Sequence, residues 1–221
     1  MSLVTRLLQF AGVAAVGVLW TTVVVGMWRT GLGVTDDRAI SYLGTEPRAM
    51  VLFRGGLIVA TVLLIGFAWV VERRLERPTG FFVVFLIGMV GQAVVATVSI
   101  GGEGASHTVH TAGGIVLGLS LPLLMWRFAA AQSPGPWRRQ SYGLTWLEVA
   151  GVVAGVALSR ARRAVIAEAV PAVVFHLWII VVTVRWRAWR PAQVDLSPSD
   201  PAGTSSTAVA SVPSESGRDR R

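Results

Sequence analysis

The chain has 221 residues, of which 53% are apolar and only 14% charged, and its formal net charge is +8. A soluble globular domain carries about a quarter charged residues, so this composition excludes that class and points to a membrane protein. The positive charge does not point to nucleic acid. The basic residues sit at the ends of apolar runs and in a polar tail rather than on one aromatic-interleaved face, and all of them are Arg, which codon usage explains as well as phosphate recognition does. With no Cys, a disulfide, a thiol nucleophile and a thiolate metal site are all excluded.

The apolar runs predict an all-α, polytopic transmembrane bundle in residues 1–190, with spans at 7–28, 49–71, 80–100, 107–126, 143–159 and 164–184. The first run outlasts the about 7 to 15 apolar residues of a cleavable signal, so it reads as a retained span. Residues 29–48 form a polar loop expected to lie against the membrane surface, with Glu46-Pro47 disfavouring helix just before the second span. Residues 72–79 make a short charged turn and 101–106 a Gly-rich one. Residues 127–142 read as a basic connection containing Pro134 and Pro136. The fifth run is the weakest: short and interrupted by Glu148, whose position near the run end suggests headgroup water. Small-residue pairs, Gly114 with Gly118 and Gly151 with Gly155, suit close helix contact and serve internal packing as readily as self-association, which leaves a homo-oligomer open. Residues 191–221 are rich in Pro, Ser, Thr and Ala and are expected to be a disordered polar tail.

Six spans put both termini on one side. More Arg residues accompany the termini, Arg73, Arg74, Arg77, Arg127, Arg138 and Arg139 among them, so the positive-inside rule places the termini in the cytoplasm and the protein in the cytoplasmic membrane. Arg160, Arg162 and Arg163 dissent. They read most simply as a turn touching lipid headgroups, which makes membrane lipids the expected partner.

Counting depth from the run ends puts Arg54, Gln92, His107, His110 and Glu168 in the half opposite the termini, with His176 near the midplane. Loop residues Asp36, Asp37 and Glu103 join them, giving a candidate polar cluster at an outward-facing mouth. Intramembrane ionisable groups face a cavity or one another, so Arg54 with Glu168 is the first pair to expect, and snorkelling is the alternative for Arg54. His107 and His110 share a helix face and are the candidates for a divalent metal. Without a third ligand of fixed spacing, no cofactor is assigned, and hydrogen bonds from this pair to loop carbonyls are the plainer expectation.

The residues Ile40-Ser-Tyr-Leu-Gly44, Glu46-Pro-Arg-Ala-Met-Val-Leu-Phe53 and Gly55-Gly-Leu-Ile58 resemble the small six-span family catalogued as domain of unknown function 998. The layout is also similar to the DRAM-like group of eukaryotic membrane proteins. The resemblance implies a first helix, an extracytoplasmic loop carrying an S-x-L-G element, and five further helices. Where some members have a Glu-Arg pair at the start of the last helix, this chain separates Arg163 from Glu168. No catalytic role follows from the resemblance. Three functions therefore compete: a non-enzymatic, lipid-interacting or accessory membrane protein; a membrane-embedded hydrolase using His and Asp around a metal; and a small proton-coupled transporter using Arg54, Glu168 and His176.

Overall fold

The computed structural model describes residues 3–77, 79–98, 100 and 104–185, with side chains from residue 10 onward. The described residues form six helices: α1 (Leu3–Thr30), α2 (Met50–Glu72), α3 (Phe81–Thr97), α4 (Ala105–Ala130), α5 (Pro136–Arg160) and α6 (Ala164–Arg185). Five of them are long and apolar enough to cross a membrane, whereas α3, with 17 residues, is shorter. Each helix packs on its neighbours in the chain and α1 also packs on α6, so the six close into a ring. Large apolar side chains such as Val51, Val62, Leu119 and Val184 stand exposed, as suits lipid contact.

At the end of the ring holding the start of α1 and the end of α6, the interior is an aromatic core. Trp178 is fully buried and meets Phe67, Phe81, Phe128 and Phe175 with ring centroids 5.3 to 6.4 Å apart. These offset and edge-on arrangements add to the area that each ring buries.

Two of the close helix contacts bring a glycine against the backbone of the neighbouring helix. Gly91 on α3 lies against Gly113 and Leu117 of α4. Pro171 in α6 leaves the carbonyl of Ala167 without its helical donor. Gly155 of α5 packs so tightly on that carbonyl that a Cβ would stand 2.6 Å from it.

The fifth span departs from its expected bounds. α5 starts at Pro136 and has 25 residues, so the connection from α4 is a few residues rather than the basic stretch 127–142. Pro136 is preorganised for a first helical position. One arginine of the first turns, Arg138, lies over the Tyr142 ring at 5.8 Å, and Trp137 packs on Phe128 and receives Arg185 of α6. The third run is shorter than expected, because Val98 turns to extended backbone within a β-branched stretch. Gly114 and Gly118 differ as well. Neither has an atom within 4 Å of where a Cβ would stand, so they are not a packing pair.

The α5–α6 link is a helix-stop motif. Arg163 N–H reaches the carbonyl of Leu158 and Arg162 N–H that of Ser159, with Arg162 itself left-handed at φ 59°. The expectation for residues 191–221 lies outside the described residues, as does that for Glu103.

Candidate functional site

The loop between α1 and α2 is exposed over residues 33–35 and 37 but turns inward after them. Its residues Ile40–Gly44 form a 3-10 turn with Ile40, Ser41, Leu43 and Gly44 buried, and the turn touches α1, α2, α3 and α6. It plugs the end of the ring opposite the aromatic core. The sequence reason is the i, i+3 spacing of Ile40 and Leu43, which puts two apolar side chains on one side of a tight turn.

Two charged residues hold that plug. Ala39, before the turn, has no side chain able to cap it. Glu168 of α6 takes that role: Oε2 accepts from Ser41 N–H at 3.0 Å and Oε1 from Ser41 Oγ–H at 3.0 Å. At the other end, Arg54 Nε–H donates to the Gly44 carbonyl at 3.1 Å. An anion thus sits at the turn's N-terminus and a cation at its C-terminus, the favourable sense for the peptide dipoles. The expected direct pair of Arg54 with Glu168 is replaced by two separate grips on one backbone segment.

Below the plug is a cavity of about 630 Å³. Its lining is mostly apolar, with Glu168, Gln92, His110 and His176 as polar members. Glu168 is enclosed by protein on one side yet exposed, because its open side faces the cavity. The hydrogen bonds orient the other three. Trp20 Nε1–H donates to His176 Nδ1 at 3.0 Å, so a neutral His176 carries its proton on Nε2. His110 Nδ1 is 2.7 Å from the Val98 carbonyl, which can only accept, so the Nε2 of a neutral His110 is an acceptor. Gln92 donates to Thr61 Oγ1 at 2.9 Å and leans on the Leu57 carbonyl. His110, Gln92 and His176 are buried.

The cavity opens along α4 and α5, where Ile115, Leu119, Val156 and Ser159 line it and are exposed. Gly114 and Gly118 line the same opening. The antiparallel helices α4 and α5 join tightly at their 131–135 end, and the opening lies toward their other ends.

The remaining expected residues fall elsewhere. His107 is exposed, with Nδ1 at 3.3 Å from the Ile100 carbonyl, and does not line the cavity. Among the described residues no group of three His, Asp or Glu side chains converges on a metal-sized site. Arg160, Arg162 and Arg163 are exposed at the α5–α6 link. Asp37 is exposed on the loop. Asp36 accepts from Arg38 through backbone and guanidinium, and the salt bridge closes at 2.9 Å. These Arg38 hydrogen bonds hold the Asp36 carboxyl well below the usual carboxylate range. A depressed acid contributes above its ordinary range and is lost only as pH falls through the lowered value, so this loop contact persists in ordinary acid.

Ser41 and Trp20 contribute to the site without having been expected there, and Glu148, away from the cavity lining, differs from its expectation. Glu148 is fully buried rather than facing headgroup water, and neither of its carboxylate oxygens has a hydrogen-bond partner. Ser141, Thr145, Glu148, Gly151 and Gly155 are all buried on α5. Their spacing of three and four residues was the available signal.

The fold and the cavity together define a multi-pass helical membrane protein with an internal chamber at one end. Residues 10–185 match the family described as Protein of unknown function (DUF998), and the chain belongs to that family. No curated protein and no solved structure matches it.

Proposed function

We propose that this is a non-enzymatic, lipid-interacting protein of the cytoplasmic membrane, and that its chamber takes an amphipathic molecule entering sideways between α4 and α5. The observation that carries this reading is the cavity itself: mostly apolar walls, a few convergent polar groups at its inner end, and an opening flanked by exposed apolar side chains of two long apolar helices. A hydrocarbon chain suits the walls and a polar head suits the Glu168 end. Transport through Arg54, Glu168 and His176 gains less support, since Arg54 is engaged by the plug and does not line the cavity.

The test uses Gly118→Trp. A side chain at this position projects into open space, so the variant should fold normally while filling the opening. Lipid extracted from the purified wild-type protein is expected to contain one amphiphile class at near-stoichiometric level, depleted several-fold in the variant. Equal recovery from both proteins, or none from either, would overturn the reading.

In this proposal all six helices cross the bilayer, the termini are cytoplasmic, and the plugged end faces outward. Single-cysteine variants of this Cys-free chain test the arrangement. With a membrane-impermeant thiol reagent on intact cells, Gly33→Cys and Ala161→Cys are expected to label and Gly135→Cys to stay protected. Protection of Ala161→Cys together with labelling of Gly33→Cys would mean that α5 does not cross.

A further inference from the structure

We infer that the occupant of the chamber carries a cationic head, of the ammonium class, that docks against Glu168; this deepens the amphiphile reading above and rests on it. Among the described residues that line the cavity, Glu168 is the one carboxylate and none is Arg. Both carboxylate oxygens accept from Ser41, one hydrogen bond each, which leaves further lone pairs available on the cavity side. Arg54, the cation expected to neutralise this carboxylate, is held at the far end of the plug by Gly44. Among the described residues Glu168 forms no salt bridge, the Asp36–Arg38 bridge being elsewhere.

Of the other titratable groups facing the cavity, His176 has Nδ1 committed as acceptor to Trp20, a role that a protonated ring could not fill. His110 donates Nδ1–H to the Val98 carbonyl, a bond the neutral ring satisfies. Gln92 is neutral and held by Thr61. The aromatic rings of Trp20, Phe53 and Phe175 also line the cavity. A carboxylate in a cavity with aromatic residues in its walls is a recognition set for ammonium, which gains charge pairing and, where a ring face is reached, ring attraction. An anionic head would meet Glu168 as a like charge. A neutral head would forgo the pairing and leave the preference to chain length alone.

The experiment presents the purified full chain in nanodiscs with amphiphiles of one chain length and three heads: a long-chain alkylamine, the corresponding alkanol and the corresponding alkanoate. Binding is read by competition against a photoreactive alkyl probe. The alkylamine is expected to compete about tenfold or more better than the alkanol, the scale of a hydrogen bond to a charged group. In Glu168→Gln the advantage of the alkylamine over the alkanol is expected to vanish. Equal competition by all three heads, or preference for the alkanoate, would overturn the cationic head and leave the amphiphile reading standing. Retained preference in Glu168→Gln would overturn the role of Glu168. Failure of every head and of the probe itself would overturn the amphiphile reading too. Should Glu168→Gln not fold, the series on the wild-type chain still decides for or against a cationic head.

Discussion

Glu168→Ala is expected to free the 40–44 turn from the bundle and to lower stability by about 2 to 4 kcal/mol, because two hydrogen bonds to a charged acceptor vanish together and buried Ser41 is left without its partner. The local effect should exceed the global one. Trypsin sites at Arg38 and Arg48 flank the turn, and in the wild-type protein both grips restrain the backbone between them. Cleavage at these sites is expected to accelerate in Glu168→Ala before any loss of helix content. Glu168→Gln keeps the side chain's volume and one carbonyl acceptor, so its cost should be about 1 kcal/mol, with the turn still resistant. Wild-type resistance to trypsin in Glu168→Ala would show that the carboxylate does not hold the plug, and thermal unfolding in detergent gives the size of the change.

Gly91→Leu is the second large effect expected, through steric exclusion rather than lost polarity. A Cβ at Gly91 would stand 2.6 Å from the Gly113 carbonyl oxygen and 2.8 Å from the Leu117 nitrogen, both backbone atoms that no rotamer change can move. α3 and α4 must then separate along their shared face, at a cost of about 3 kcal/mol or complete loss of the folded protein. Gly114→Ala is the matched control, since its Cβ meets nothing within 4 Å. Size-exclusion profiles after heating would separate the two. A Gly91→Leu protein as heat-resistant as Gly114→Ala would contradict the close α3–α4 approach.

Much of the helical layout was legible because unbroken apolar runs leave little choice inside a membrane, where every backbone group must be satisfied internally. The start of α5 was not. Its first turns carry Trp137, Arg138, Arg139, Ser141 and Tyr142, a composition that reads as a connection unless the aromatic partners are known. The partners of Trp137 lie on other helices, Phe128 on α4 and Arg185 on α6. Counting along alternating helices brings Arg54 and Glu168 toward the same end of the bundle, where both reach the 40–44 turn. Their hydrogen bonds were not legible, because Arg54 and Glu168 reach the loop between α1 and α2, through the carbonyl of Gly44 and both the N–H and the hydroxyl of Ser41. Opposite charges at similar depth suggest a pair, and nothing in residue types marks a backbone segment inserted between them. Glu148 was misread for a related reason. An acidic residue in a weak apolar run suggests solvent, whereas the small and polar residues spaced around it form the face that α5 buries.

The brevity of α3 has a consequence for the surrounding lipid. Seventeen residues rise about 26 Å, against about 30 Å of hydrocarbon in a typical bilayer. Val83, Ile87 and Val90 are exposed along its length, and in the proposed arrangement they would meet acyl chains directly. In the proposed six-span arrangement, the bilayer beside α3 would have to dimple or the whole bundle to lean, each ångström of mismatch carrying a small elastic penalty. The protein would then deform the membrane on one flank only, and it would be drawn to thinner patches and to neighbours that share the dimple.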